Sequence, residues 1–190
     1  WTTTPWTLPG NVAVAFHPEA AYGLYEAEGR LLVMAEACAA ALGEAIGASL
    51  KGPLANVKGQ ALEGLQMAHP LFDRVSVGVL ADYVSMEEGT GCVHTAPGHG
   101  EEDFQTGQRY RLPIVSPLDE RGVFTAEAGP YQGMFCEDAN ARIMDDLQAR
   151  GILLARGQVR HQYAHCWRCK NPVIYRTTEQ WFLDLSLIHI

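Results

Sequence analysis

The sequence predicts a mixed α+β domain whose core is dominated by strands. Short apolar runs bounded by turn residues recur along the chain, and only a few segments between them have helical periodicity. The 190 residues, of which 47% are apolar, can bury one sizeable core. We therefore expect a single domain that covers residues 1–185.

The first part of the chain predicts a meander of strands followed by a helix. Three strands are expected, at residues 11–16, 21–26 and 31–34, the last two as a hairpin. The alanine-rich segment 36–46 has Leu42 and Ile46 four residues apart, which predicts a helix. Gly47 is placed to end that helix, because glycine adopts the left-handed conformation of a helix terminus without strain.

The remainder predicts further strands and two more helices. Strands are expected at residues 75–84 and 92–95, and helices at residues 101–109 and 137–150. In the last helix Ala139, Ile143 and Leu147 share one face, acidic residues fill the first turn, and Gly151 closes it. Around residues 92–109 the expected order is therefore strand, glycine-rich turn and helix.

Composition excludes several classes of protein. A net charge of −8 with only 14 basic residues offers no broad footprint for nucleic acid, so any RNA contact should be small and local. The sequence contains neither an apolar run long enough for a membrane span nor a signal peptide, and its five cysteines form no disulfide framework. We expect a cytoplasmic, monomeric protein with reduced thiols, cut from a longer chain because it opens on Trp1.

The glycine-rich segment 89–103 carries the most informative chemistry. It places an imidazole, His94, and a carboxylate, Asp103, at the two ends of a turn that also contains His99. A lone histidine on a strand is often structural, and an acidic residue in the first turn of a helix gains from the helix dipole. On local evidence alone, structural and functional roles both remain open for these side chains.

A second candidate segment is the threonine run at the start of the chain, Thr2, Thr3 and Thr4, ahead of Pro5. Threonine hydroxyls donate or accept hydrogen bonds, and β-branched side chains have few rotamers, so the run could form a stiff polar wall. The alternative is an ordinary extended segment, because threonine is common in strands.

Together these motifs resemble the editing domain of isoleucyl-tRNA synthetases, the inserted connective polypeptide that hydrolyses mischarged tRNA. The resemblance rests on the opening residues 1–11, on Gly-Thr-Gly-x-Val-His-Thr-Ala-Pro-Gly-His-Gly-x-Glu-Asp-Phe at 89–104, and on residues 165–168 and 179–182. Valyl-tRNA synthetases typically have lysine at the position of His94, and leucyl-tRNA synthetases fit the histidine motif poorly. The resemblance implies a compact β-barrel-like core decorated by helices.

The resemblance also implies a reaction and roles for individual residues. The substrate would be valine esterified to the 3′ end of isoleucine tRNA, with valyl-adenylate as a further candidate, and no cofactor would be required. Asp103 would hold the α-ammonium group, and His94 with Thr4 would bound a cavity that excludes isoleucine. Candidates for the water and the oxyanion are Thr2, Thr3 and the backbone of Gly89, Thr90 and Gly91. The proton acceptor stays open among His94, a threonine-held water chain and a ribose hydroxyl of the substrate.

Two aromatic residues and a cysteine pair complete the candidates. Trp6 and Tyr163 could stack on the terminal adenine, with core packing as an equally favoured alternative. Cys166 and Cys169 have the spacing of half a zinc site, but a closed site needs four ligands, and His161 and His165 are poor substitutes by spacing. We expect this half site to be empty, with zinc bound only if ligands come from outside the chain.

Some features limit the resemblance. The signatures of ATP-dependent amino-acid activation are absent from the sequence, so the chain should act with the rest of a synthetase rather than charge tRNA itself. Residues 186–190 depart from the family pattern and are expected to be a tail introduced in cloning or in sequence assembly. Two rival hypotheses remain: a module that only binds the acceptor end of tRNA, and a metal-dependent hydrolase that uses the cysteine pair.

Overall fold

The computed structural model describes residues 1–158, 162–183 and 185. Within them the strands are β1 (Ala13–Phe16), β2 (Ala21–Ala27), β3 (Arg30–Ala35), β4 (Lys51–Lys58), β5 (Gln66–Ala68), β6 (Val75–Leu80) and β7 (Cys92–Thr95). The α-helices are α1 (Ala39–Ile46), α2 (Glu101–Tyr110) and α3 (Ala139–Ala149). Four short 3-10 helices lie at Pro5–Gly10, Glu36–Cys38, Gly59–Leu62 and Ala126–Tyr131. The expected α+β class is confirmed.

The strands form two sheets. The first has the order β5-β6-β1-β7, with β1 parallel to β6 and antiparallel to β7. The second is antiparallel, with β2 between β3 and β4. Small apolar residues make β1 a suitable central strand, because Ala13 and Ala15 are fully buried and let neighbouring layers approach closely.

The two sheets meet near the start of β2. The rings of Phe16 and Tyr22 pack edge to face with their centroids 5.4 Å apart. The Tyr22 hydroxyl donates to the carbonyl of Gly91 at 2.6 Å, and the Ala35 N–H donates to the carbonyl of Thr90 at 2.9 Å. The glycine-rich loop that leads into β7 is therefore tied to the second sheet.

A separate apolar cluster lies under the first 3-10 helix. Helix α3 contributes Ala139, Ile143 and Leu147, the face that the sequence predicts, and Trp6 packs in the same cluster. The N–H of Trp6 also donates to Oδ1 of Asn140 at 2.8 Å. This packing anchors the residues that follow the threonine run against α3.

Several boundaries differ from the predictions. Strand β6 ends at Leu80 rather than at residue 84, and the predicted helix at 36–46 begins with a 3-10 turn. Helix α3 starts at Ala139, so the acidic residues Glu137 and Asp138 precede its first turn instead of filling it. Gly47 ends α1 with a φ of 64°, as predicted.

Two strands, β4 and β5, were not predicted. β4 contains Gly52 and Pro53, which argue against a strand interior, and all of its residues are exposed. It forms on an edge of the second sheet, where proline is tolerated because one side of the strand makes no ladder bonds.

The expected tail 186–190 and His161 lie outside the described residues. In the part of the chain that the structure describes, no helix combines the length and the apolarity that crossing a bilayer would require.

Candidate functional site

The threonine run lies alongside β7. The Trp1 ammonium donates to the carbonyl of Cys92 at 2.8 Å, and the His94 N–H donates to the carbonyl of Trp1 at 3.0 Å. These two bonds hold the start of the chain along the strand that carries His94. The threonine run thus lies beside the glycine-rich motif, although the two are about ninety residues apart in sequence.

Local hydrogen bonds shape the run itself. The Thr4 N–H donates to Oγ1 of Thr2 at 3.0 Å, and the hydroxyls of Thr3 and Thr4 lie 3.3 Å apart. The carbonyl of Thr4 accepts bonds from both the N–H and the hydroxyl of Thr7, at 3.0 and 2.8 Å. Thr2 and Thr4 are half-buried and Thr3 is exposed, so the hydroxyls of the run form a fixed polar edge.

His94 projects from β7 toward the residues that follow the threonine run, and both of its ring nitrogens form hydrogen bonds. Nε2 lies 2.8 Å from the Thr7 hydroxyl, and Nδ1 lies 2.7 Å from the Asn11 side-chain nitrogen. Burial lowers the pKa of His94 to about 3, and charge repulsion from the Trp1 ammonium and from protonated His69 and His99 acts in the same direction. The imidazole is therefore neutral at physiological pH.

Asp103 lies in the first turn of α2, at the carboxyl end of β7. Its Oδ2 accepts the N–H of Ala96 at 2.8 Å, and the Tyr83 hydroxyl lies 3.4 Å from Oδ1. Burial raises the pKa of Asp103 above its usual value, against the lowering effect of the two hydrogen bonds. Among the described residues its carboxylate forms no ion pair.

The segment Gly89–Gly91 passes behind the start of the chain. A Cβ at Gly89 would lie 2.5 Å from Cγ of the Trp1 ring, so the indole packs directly on this glycine. The Thr90 hydroxyl exchanges hydrogen bonds with the backbone of Cys92, at 3.2 and 3.3 Å. These contacts place the segment next to Trp1 and the first residue of β7, beside the threonine run.

Of the two aromatic candidates, Trp6 is unsuited to stacking on a base. Its side chain is only 4% exposed, and its ring packs edge-on against His99 with the ring centroids 5.1 Å apart. Core packing, the alternative left open by the sequence, is what the structure shows for Trp6. Tyr163 is partly exposed and donates to the carbonyl of Val173 at 3.1 Å, so stacking on adenine stays a prediction for this residue.

The cysteine pair lies on a tight turn in the C-terminal segment. The Lys170 N–H donates to the carbonyl of Cys166 at 2.9 Å, and the N–H groups of Cys169 and Arg168 donate to the Cys166 thiol. These donors lower the pKa of Cys166, which favours the thiolate that metals bind. In the described ranges no three potential ligands come together, and the two cysteines would supply half of a four-ligand site.

Sequence reasoning missed three residues of the site: Thr7, Asn11 and Tyr83. Each makes its contact with a residue that is between 20 and 87 positions away in the sequence. No local pattern could therefore have indicated them. Thr7 and Asn11 lie within the opening residues 1–11 that carry the resemblance, but no role was predicted for either of them.

Comparisons with known proteins identify the family to which this fold belongs. The family model described as "Leucyl-tRNA synthetase, editing domain" matches residues 54–149, half of the chain. An isoleucine--tRNA ligase of Symbiobacterium thermophilum is 57% identical over 186 residues, which cover 98% of this chain and 20% of the ligase. The chain thus spans about one fifth of the length of the curated relatives it matches.

Two crystal structures share the fold. One, described as GlLeuRS-CP1, has a TM-score of 0.66 at 14% identity and covers 83% of each chain. The other, the editing domain of the P. knowlesi cytosolic leucyl-tRNA synthetase, has a TM-score of 0.60 at 12% identity and covers 78% of each chain. The chain belongs to the family of aminoacyl-tRNA synthetase editing domains, and its sequence groups it with those of isoleucine--tRNA ligases.

Proposed function

We propose that this domain removes valine from mischarged isoleucine tRNA by hydrolysing the ester at the 3′-terminal adenosine. The observation that carries the proposal is Asp103, a half-buried carboxylate without a cationic partner among the described residues. Keeping an unpaired carboxylate away from water is costly unless a ligand supplies the opposite charge. The α-ammonium group of an aminoacyl ester has that charge.

Selectivity would come from the pocket that receives the side chain of the esterified amino acid. Valine lacks one methylene of isoleucine, which an apolar synthetic pocket distinguishes by only about 1 to 3 kcal/mol, a limit for which this synthetase is itself the standard example. A second pocket that excludes the larger side chain adds the missing discrimination. The rigid edge formed by Thr4 and the neutral ring of His94 would bound that pocket, because neither side chain can move without breaking its hydrogen bonds.

The chemistry would be attack of a water oxygen on the ester carbonyl carbon. The carbon–oxygen bond to the ribose breaks, the ribose oxygen takes up a proton, and free valine and uncharged tRNA leave. Hydroxyls of Thr2 and Thr3 and the backbone of Gly89–Gly91 are candidates to orient the water and to stabilise the oxyanion.

In this proposal the imidazole of His94 is not the general base. A general base works best when its pKa lies near the working pH, whereas the pKa of His94 is lowered to about 3. Both of its nitrogens are also occupied by Thr7 and Asn11. A water held by the threonines, or the neighbouring hydroxyl of the substrate ribose, would accept the proton instead, and His94 would act as part of the pocket wall.

The partners in this proposal are the 3′ end of isoleucine tRNA and the remainder of the synthetase. Because the chain carries a net charge of −8, most of the electrostatic attraction for tRNA would come from that remainder. The isolated chain should therefore bind tRNA weakly and need a high protein concentration in assays.

The test compares deacylation of valyl-tRNA(Ile) and isoleucyl-tRNA(Ile) by the 190-residue chain. We expect valine to be released at least about tenfold faster than isoleucine, because one excess methylene costs 1.4 kcal/mol or more in a rigid pocket. Equal rates for the two esters would contradict the size filter. Binding of tRNA without any turnover would instead support a module that only binds the acceptor end.

A further inference from the structure

Asn11 lies in a hydrogen-bonded chain that links the first sheet to the threonine run. The Ser76 hydroxyl on β6 donates to Oδ1 of Asn11. The side-chain nitrogen of Asn11 then contacts Nδ1 of His94, and Nε2 of His94 contacts the Thr7 hydroxyl. The chain ends where that hydroxyl donates to the carbonyl of Thr4.

The donor and acceptor of each hydrogen bond in this series follow from one contact between Asn11 and the backbone. The side-chain nitrogen of Asn11 lies 2.8 Å from the carbonyl of Ala13, which can only accept a hydrogen bond. The atom facing Ala13 must therefore be the amide NH2, and a flipped amide would place two acceptors against each other. In this orientation the Ser76 hydroxyl donates to Oδ1 on the other side of the amide.

The orientation of Asn11 in turn determines the tautomer of His94. An NH2 group donates, so Nδ1 of His94, 2.7 Å away, must be the unprotonated acceptor. The ring proton then lies on Nε2 and is donated to the Thr7 hydroxyl at 2.8 Å. The Thr7 hydroxyl has a single proton, which it donates to the carbonyl of Thr4 at 2.8 Å. Every donor in this hydrogen-bonded series therefore faces an acceptor, and none of the side chains needs to be charged.

We propose that Asn11 is a positioning residue of the editing reaction, which holds His94 as the neutral Nε2–H tautomer and thereby orients the threonine run. The inference rests on the proposed function for its catalytic consequence. It identifies Asn11, Thr7 and Ser76 as a support for the pocket, although none of them needs to touch the substrate.

The first experiment observes the tautomer directly in the 190-residue chain. Nitrogen-15 NMR of the histidine rings distinguishes a protonated from an unprotonated ring nitrogen, and His94→Gln identifies which signals belong to His94. We expect the Nε2–H form alone between pH 5 and pH 8. A dominant Nδ1–H form, or a mixture of the two tautomers, would overturn the proposal whether or not the chain hydrolyses any ester.

The second experiment replaces hydrogen-bond donors of the series Ser76–Asn11–His94–Thr7 and measures deacylation. Asn11→Asp exchanges the NH2 group for an acceptor, so the carboxylate should draw the ring proton to Nδ1 and favour a charged imidazole. The groups that oppose this charge are the Trp1 ammonium, His69 and His99. We expect valyl-tRNA deacylation to fall about ten- to a hundredfold, the loss expected for a displaced pocket wall, and to gain a pH dependence between pH 5 and pH 8.

The matched control is Asn56→Asp on an exposed part of β4, which makes the same change of charge and should leave the rate unchanged.

A second variant, Thr7→Val, is needed because Asn11→Asp places an acceptor against the Ala13 carbonyl and could lose its fold. It keeps the shape of threonine, leaves the Nε2 proton without an acceptor, and should reduce the rate with a small change in KM. Native rates and a native pH profile in folded Asn11→Asp or Thr7→Val would refute a positioning role. Absence of deacylation in the unmodified chain would refute the proposed function and leave the tautomer result intact.

Discussion

Replacing Asp103 by asparagine should remove the charge that, in the proposed function, holds the substrate, while keeping the shape of the site. Asparagine can still accept the Ala96 N–H, which Oδ2 now accepts at 2.8 Å, so the local backbone should not move. What is lost is a charge-assisted pair with the α-ammonium group, and truncating one partner of such a buried pair costs about 2 to 5 kcal/mol. At 1.36 kcal/mol for each factor of ten, kcat/KM for valyl-tRNA should fall roughly 30- to 5,000-fold.

The matched control is Glu102→Gln. It removes the same charge from the same turn of α2, but Glu102 is exposed and lies outside the site. Single-turnover deacylation at high protein concentration measures both variants against the unmodified chain. If Asp103→Asn deacylates valyl-tRNA within about threefold of Glu102→Gln, less than 0.7 kcal/mol separates the two variants and the role of Asp103 in holding the ammonium is refuted.

Thermal unfolding separates this effect from a loss of structure. Because burial raises the pKa of Asp103, the folded state binds its proton more tightly than the unfolded state does. The protonated Asp103 carboxyl therefore stabilises the fold at low pH. This stabilisation is lost as the pH rises from the pKa of Asp103 in the unfolded state through its pKa in the folded state, so at pH 7 the ionised carboxylate opposes folding. Asp103→Asn should keep or raise the Tm at pH 7, and a fall of several degrees would attribute lost activity to damage of the fold.

Three further predictions concern other parts of the molecule. The pH–rate profile of deacylation should show no step from His94 between pH 5 and pH 8, since its pKa is lowered to about 3, and a step abolished by His94→Gln would contradict this. Gly89→Ala should lower the Tm more than Gly64→Ala in scanning calorimetry. Both glycines have φ near 75°, which costs alanine about 1 to 2 kcal/mol, but only a Cβ at Gly89 meets the Trp1 ring. A chelator should leave deacylation by the chain unchanged, and a loss restored by zinc would instead support the metal-dependent hydrolase through Cys166.

The parts of the fold that local pattern determines were predictable. Helix α3 shows its buried face in the spacing of Ala139, Ile143 and Leu147, and β7 was predicted at its observed boundaries. Strand β4 was not predictable in this way. It has no alternation of buried and exposed residues, and it exists because the edge of β2 offers a partner for its backbone.

The same distinction applies to the candidate site. His94 and Asp103 are close in sequence and lie on a strand and a helix with clear signals, so a motif could indicate them. The partners that set their chemistry, Thr7, Asn11 and Tyr83, are joined to them only by the tertiary fold. Sequence also could not decide between stacking and core packing for Trp6, because that depends on how α3 docks.

The bonds between Trp1 and β7 have a consequence for synthesis of the chain. The Trp1 nitrogen reaches the carbonyl of a residue 91 positions later, and in the part of the chain that the structure describes the central strand β1 pairs with β6 and β7. Ribosomes add about 5 to 20 residues each second, so the threonine run waits roughly 5 to 20 s for its partner strand. During that interval the three strands β2, β3 and β4 can pair, whereas β1 and the threonine run still lack partner strands. A nascent chain should therefore acquire its second sheet before its candidate site.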